Sequence, residues 1–544
     1  MKKYLFVLVF VLSMCSLNSF SQSKYYKASK EWLRKSEACK PALVYKECYP
    51  LRVVNAVKDE KAYQGWRMEE CGPVYPLFNE SLKNQSGIIL DFGEHMTGDF
   101  TFSLKLLGKA VADAPVRLKF TFAEVPGELN TPFDPYPGGL SRAWLQDEVM
   151  TLMTVPVEVT IPRRVSFRYL RIDVLGASSF DFAFDKISFK AQSTVKPIQM
   201  DLSPTTDLLV KKINEVGLST LKECMQTVYE DGPKRDRRLW IGDLYLEALA
   251  NAYSYKEHAL TKRCLYLLAA LANDEGLLHA TVFEEPYPHP QEGQHCIDYA
   301  LIYNVALLEY LKVTGDKETA DDLWPVVVRQ IEMVLRQFSP EMIYDMQKTP
   351  LYWLVFDWKD HYDRQASMQG LTIWALTRSY ELARLLGREK EVREWPVLAA
   401  QMKKAARKQF YDKKQGVIVS GVEKQVSYLS QVWMILSGTL NQKEGRLAMQ
   451  TVMAMPDACY PGCPYAYHYV MEALLECGMN SEAKTLLIDY WGGMVEKGAD
   501  TFWEVYDPNN DELSPYGFFP MNSYCHAWSC TPVYFINKYP DIFQ

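Results

Sequence analysis

No segment of this sequence repeats at a fixed period, no basic tail or block stands out, and no glycine-rich loop follows a strand pattern. The missing repeat argues against a helical solenoid. Lys and Arg (60) fall short of Asp and Glu (67), for a net charge of −7. A mildly acidic chain without a basic patch is not built for nucleic acid or an anionic membrane surface. Without a phosphate-cradling loop, no nucleotide or other organic cofactor is expected. After the first residues no run of about 20 apolar residues occurs, so no later segment is expected to span a bilayer.

What is present begins with Met1-Lys2-Lys3, an apolar run from Tyr4 to Met14, and Ser19-Phe20-Ser21 before Gln22. A positive start, a short apolar stretch and small residues at the end describe a secretory signal over 1–21, and so an exported, periplasmic protein. A lipoprotein through Cys15 fits less well, because Met14 is a poor residue before a lipid-modified cysteine. Removing Cys15 from the 12 cysteines leaves an odd number, so at least one thiol stays unpaired or pairs between chains. Cys459 with Cys463, and Cys525 with Cys530, are close enough for bridges or a metal. Neither pair has a second ligand pair at zinc-finger spacing, which favours buried or bridged cysteines and no metal. Asp507 to Asp511 is the kind of Asp-rich loop that can ligate calcium through oxygen, an alternative left open.

Residues 22–200 read as a jelly-roll-like β-sandwich. Gly87–Gly93, Asp99–Leu107, Val116–Ala123, Val157–Ile161, Phe167–Val174 and Phe180–Lys190 are short runs rich in Val, Ile, Phe and Tyr, separated by turn residues. Pro126 to Gly139 is a long excursion loop. Residues 201–544 change to a helical period, with a dozen stretches near 205–227, 240–255, 257–273, 294–315, 317–337, 364–386, 389–410, 426–440, 442–454, 464–476, 480–491 and 524–538. Ile297, Leu301, Val305, Leu308 and Leu311 form one apolar stripe ending at Gly315. Twelve helices with alternating short and long connections fit an (α/α)6 barrel of six hairpins, whose functional groups must come from the long loops.

Four polar-aromatic segments interrupt the helices. The first runs from Glu230 to Asp243 and holds Asp231, Arg235, Asp236, Arg237 and Arg238 beside Trp240. The second contains Asp357 and Trp358. The third places Glu504 beside Trp503, where burial would oppose ionisation of a carboxyl. The fourth has His526 and Trp528 at the start of the last predicted helix. Salt-bridged loops also hold such charges without catalysis. Together, however, the four supply the carboxylates, Arg and Trp that cleavage of a sugar needs.

At these segments the sequence resembles glycoside hydrolase family 78, the inverting α-L-rhamnosidases. The family loop Asp-Cys-Pro-Gln-Arg-Asp-Glu-Arg-Leu-Gly-Trp-Thr-Gly-Asp is similar to Asp231–Asp243, which is one residue shorter. The family's Trp-Glu is similar to Trp503-Glu504, and its downstream His to His526. Leu90–Gly93, Phe122-Ala-Glu124 and Phe167–Ile172 resemble its β-sandwich. The resemblance implies that Glu504 is the general base, and that Asp231, Trp240, Asp243, Trp358 and His526 contact the sugar. Arg235, Arg237, Asp357, Trp503 and Trp528 join them as candidate binding residues.

One position departs from the family. Arg237 stands where the general-acid Glu of Arg-Asp-Glu-Arg is expected, and an arginine cannot donate that proton. Three outcomes follow. Asp236 takes the acid role, with Asp243 as the alternative; or the substrate is an acidic sugar gripped by Arg237 and Arg238; or the protein binds sugar without cleaving it. The expected activity is exo-acting and inverting release of L-rhamnose or a related sugar from plant or algal oligosaccharides.

Overall fold

The structure is a computed structural model, and it describes residues 29–109, 111–348 and 352–544. The segment 1–21 expected to be a secretory signal, with Cys15, lies outside the described residues. No helix among those described is long and apolar enough to cross a membrane.

The first half is antiparallel β. Its strands are β1 (Val44–Cys48), β2 (Arg52–Lys58), β3 (Trp66–Gly72), β4 (Ile88–Leu106), β5 (Val116–Ala123), β6 (Asp147–Leu152), β7 (Val157–Thr160), β8 (Val165–Val174) and β9 (Phe182–Ser193). The hydrogen-bonded order is β1-β9-β4-β8-β5-β6, with β2 joining β3 to β4 and β7 on β4. The sequence reading divided β4 in two. It is one strand of 19 residues. Glu94, His95 and Asp99 interrupt its apolar pattern, but the pairing with β8 resumes after a register shift between Asp91 and Met96. β1 to β3 and β6, short and polar on their open faces, were missed. Strict alternation on β5 buries Val116, Leu118, Phe120 and Phe122. Those rings join an edge-to-face stack, with Phe122–Phe167 at 5.0 Å and Phe167–Phe189 at 4.9 Å between centroids. The excursion loop opens with a one-turn helix, Pro126–Leu129.

The second half is an (α/α)6 barrel. Twelve of the helices among the described residues build it: α1 (Leu208–Cys224), α2 (Ile241–Ala252), α3 (His258–Ala270), α4 (Ile297–Thr314), α5 (Trp324–Leu335), α6 (Gln365–Leu386), α7 (Trp395–Phe410), α8 (Tyr428–Leu436), α9 (Gln442–Ala454), α10 (Pro464–Glu476), α11 (Asn480–Leu486) and α12 (Pro532–Lys538). The even-numbered helices touch one another in turn and form the inner ring. His468 on α10 meets Phe535 on α12 at 5.1 Å, and α12 packs on α2 to close the circle. Inner helices are covered on all sides. On α4 the buried set is therefore wider than the predicted stripe and takes in Tyr299, Tyr303 and Asn304 as well. Gly315 and Gly387 end α4 and α6 at φ +70° and +76°, a conformation that costs glycine little. The last helix begins at Pro532, not near 524, because the preceding segment is drawn into the site described next. α11 runs on through a π-helical stretch, Leu487–Gly492, to Glu496.

The two ends of the barrel differ. Connections from even to odd helices are short, such as 253–257, 387–394 and 437–441. Connections from odd to even helices include the long ones, 225–240, 271–296, 336–364 and 497–531.

Candidate active site

Those long connections surround a cavity of about 830 Å³. From the first come Asp231, Arg235, Asp236, Arg238 and Trp240; from the second, Gln291 and Gln294; from the third, Tyr352 to Val355, Asp357 and Trp358; from the last, Glu504, Tyr516, His526 and Trp528. Asp243 and Tyr299 reach in from α2 and α4, and Leu140 and Trp144 of the β-domain's excursion loop complete the wall.

The first loop is held in shape by its own backbone. Asp231 and Arg238 bond across it, the Asp231 amide to the Arg238 carbonyl at 3.2 Å and the Arg238 amide to Asp231 Oδ1 at 3.3 Å. The chain turns between them with Asp236 and Arg237 both in the left-handed region, at φ +63° and +56°. Two successive non-glycine residues there store strain, a feature that clusters at functional sites. The loop then enters β10 (Leu239–Trp240), which pairs with β11 (Thr281–Phe283) and sets Trp240 at the cavity edge.

Glu504 sits in a short ladder with 523–526. Its amide donates to the Ser523 carbonyl at 2.9 Å, and the His526 amide donates to the Phe502 carbonyl at 2.9 Å. Its carboxylate is almost fully enclosed. Oε2 receives Arg235 Nη2 at 2.6 Å and the Ser523 amide at 3.0 Å, while the Tyr516 hydroxyl donates to Oε1. Burial alone would raise this carboxyl, as the sequence reading expected. The Arg235 guanidinium, with His526, Tyr516 and Ser523, outweighs burial and brings it down to about 2. Glu504 is thus an ionised carboxylate throughout the ordinary pH range.

The neighbouring acids behave in the opposite way. Burial, reinforced by the charges of Glu504 and Asp236, raises Asp243 well above its ordinary value. Burial also raises Asp231, with Asp236 and Asp243 adding to the effect. Burial lowers His526 to about 4, so its ring is neutral at working pH. Trp240 Nε1, Asp243 Oδ1 and both ring nitrogens of His526 are buried without a protein partner. Asp243 Oδ1 and His526 Nε2 approach only to 3.6 Å. Buried polar atoms are normally satisfied. Four orphans on three cavity-lining residues are donors and acceptors left for a hydroxyl-rich ligand. Trp358, Tyr516 and Trp528 give the apolar counterpart, with Trp358–Trp528 centroids 6.4 Å apart.

Asp236 lies between two guanidinium groups, 3.2 Å from Arg235 Nη1 and 3.7 Å from Arg238 Nη2, and its side chain is 16% exposed. Asp357 lines the cavity, but its carboxylate is engaged by the Gly462 amide at 2.8 Å. Two predicted site residues do not line the cavity. Arg237 turns away, and its Nε donates to the Lys234 carbonyl at 3.2 Å. Burial, with Arg164 nearby, lowers it to about 9. Trp503 stacks on Tyr63 at 4.1 Å on the opposite side of the Glu504 segment. Tyr516 was missed, since nothing in its polar loop marks it, and so were Leu140 and Trp144, whose contribution depends on how the two domains meet. No group of three or more metal-ligating side chains occurs among the described residues.

Comparison with known proteins shows the family and the fold. Residues 203–539 match the family described as the bacterial α-L-rhamnosidase six-hairpin glycosidase domain. This chain belongs to that family. Residues 50–191 match the glycosyl hydrolase family 78 α-rhamnosidase N-terminal domain. A rhamnosidase from Klebsiella oxytoca, solved with rhamnose bound, is 38% identical with a TM-score of 0.90, over 94% of this chain and 99% of the other. The family 78 rhamnosidase of Bacillus sp. GL1 is 20% identical, with a TM-score of 0.71 over 88% of this chain and 50% of its own. An α-L-rhamnosidase of Streptomyces avermitilis is 16% identical, with a TM-score of 0.63 over 91% and 44%. These last two share the fold. Comparison with the curated proteins gives no match. The chain is a glycoside hydrolase of the rhamnosidase family, and its β-domain and barrel form the architecture that the sequence predicts.

Proposed function

We propose that this glycoside hydrolase is an exo-acting, inverting α-L-rhamnosidase that releases L-rhamnose from plant or algal oligosaccharides outside the cytoplasm. The observation that carries the reading is Glu504, a buried carboxylate kept ionised by Arg235 and facing a cavity of unsatisfied polar atoms and aromatic rings. In this reading Glu504 takes a proton from water as that water attacks the anomeric carbon. Asp236 gives a proton to the leaving oxygen. Its strained backbone presents it to the cavity, where its side chain is partly exposed. Asp243 and neutral His526 hold sugar hydroxyls through the atoms that lack protein partners. Trp240, Trp358 and Trp528 cover the apolar face and six-position methyl of the deoxy-sugar. The Klebsiella oxytoca relative, solved with rhamnose, supports the choice of sugar.

Of the two arginines that would grip an acidic sugar, Arg237 does not line the cavity and Arg238 does. The test is rhamnose release by wild type and Glu504→Gln, with the anomer of the product followed by NMR. Wild type should give the inverted anomer first, and the variant should lose about 10²-fold or more in kcat. Sugar binding by both proteins without release by either would identify a binding protein.

A further inference from the structure

Glu504 Oε2 is held by two donors from two different loops, the Arg235 guanidinium and the Ser523 amide. The residues next to those donors, Lys234 and Tyr524, converge on a single atom of the β-domain. Glu124 Oε2 receives Lys234 Nζ at 3.0 Å and the Tyr524 amide at 2.7 Å. Its other oxygen accepts His95 Nε2 at 2.9 Å, and His95 is steadied in turn by Ser166 Oγ at 3.1 Å. A second β-domain carboxylate, Glu128, takes Lys234 Nζ at 2.7 Å and the amides of Glu124 and Val125. The side chains of Glu124, Glu128 and Lys234 are at most 3% exposed.

We propose that Glu124 is a positioning residue of the active site: one β-domain carboxylate that ties together the two barrel loops whose adjacent residues hold the catalytic base. The inference rests on the reading of Glu504 as that base. A buried ion pair is a poor device for stability alone, since desolvation offsets most of its attraction. It is a good device for fixing where two chains meet, because an unpaired buried charge penalises every other arrangement. Here what it fixes is the spacing of Arg235 and Ser523 around one oxygen. Displacing a reacting group by about 1 Å can cost 10²-fold in rate.

The experiment compares Glu124→Gln with the triple variant Glu124→Gln/Glu128→Gln/Lys234→Met, which removes every charge of the Glu124, Glu128 and Lys234 cluster together. Turnover of an aryl α-L-rhamnoside, binding of free rhamnose and thermal unfolding are measured for each. Glu124→Gln should lower kcat about 10–100-fold, with KM and rhamnose binding within about threefold of wild type. The triple variant, with no buried charge left unpaired, should regain thermal stability without regaining kcat. If kcat returns together with stability, or a folded Glu124→Gln turns over like wild type, Glu124 is structural only and the proposal falls. Should neither variant fold, Lys234→Arg, which keeps the charge but alters its reach, must show the same loss of kcat at constant KM. Glu504→Gln is run alongside. If it stays active, the base reading fails; if it is inactive while the Glu124 variants keep wild-type kcat, only the positioning role fails.

Discussion

Glu504 carries a charge where burial opposes it, and that has a consequence for the folded state. Its pKa is about 2 in the protein against about 4.3 in an unfolded chain. The contribution to stability is therefore complete above the unfolded value and is lost as pH falls through about 2. Melts followed by circular dichroism from pH 6 to pH 2.5 should show wild type losing more stability than Glu504→Gln, because the variant has no such contribution to lose. The two candidate proton donors can also be separated at this scale. Asp236→Asn should lower kcat about 10²–10⁴-fold on a sugar leaving group and far less on an activated aryl leaving group, which departs without a proton. Asp243→Asn, in a residue proposed to hold the sugar, should weaken both substrates alike; a steep leaving-group dependence for Asp243→Asn instead would transfer the acid role. The place of Glu504 in the cavity was legible, because the sequence sets that carboxyl among Phe502, Trp503 and Tyr506. Its ionisation was not, since Arg235 lies 269 residues earlier and only the closed barrel brings them together.

Among elements, the inner helices were readable both as helices and as a ring, but how closely they pack was not. α6 and α8 approach so closely at Gly370 that a Cβ there would lie 2.7 Å from the Trp433 backbone. Gly370→Ala should destabilise the protein by about 1–3 kcal/mol through overpacking, seen as a lower Tm, while KM stays near wild type because the crossing lies in the helical frame. Where helix prediction failed, site geometry was the cause. The segment from Ser523 to Ser529 has helix-compatible residues, yet its backbone donors and acceptors go to Glu504, Phe502 and Asp231, so α12 starts late. β4 shows the converse: its polar interruption is a bulge inside a strand that continues, with Gly93 at φ +88°.

The molecule as a whole was foreseeable in class. Alternation changing to a 3.6-residue period separates a sheet domain from a helical one in any sequence. What could not be foreseen is the seam between them, where Lys234 crosses to Glu124 and Glu128 and Arg164 pairs with Glu230 at 2.6 Å. Pairings across some hundred residues leave no local signal. The same holds for the cysteines: Cys525 lies nearest Cys224, at 3.9 Å between sulfurs, and not Cys530. All eleven described cysteines are unbridged. Titration of the unfolded protein should return each of these thiols, and reductant should leave the melting temperature unchanged; a deficit of two thiols would point first to Cys224 and Cys525.

The contrast between the two barrel ends has a practical side. Every residue assigned a part in chemistry sits on or beside the long connections, and none sits on the short connections at the other end. Attachment through a tag inserted in one of those short connections would anchor the enzyme to a solid support with its mouth turned outward. The long loops, for their part, could be exchanged with those of another hairpin barrel while the twelve-helix frame is left as it stands.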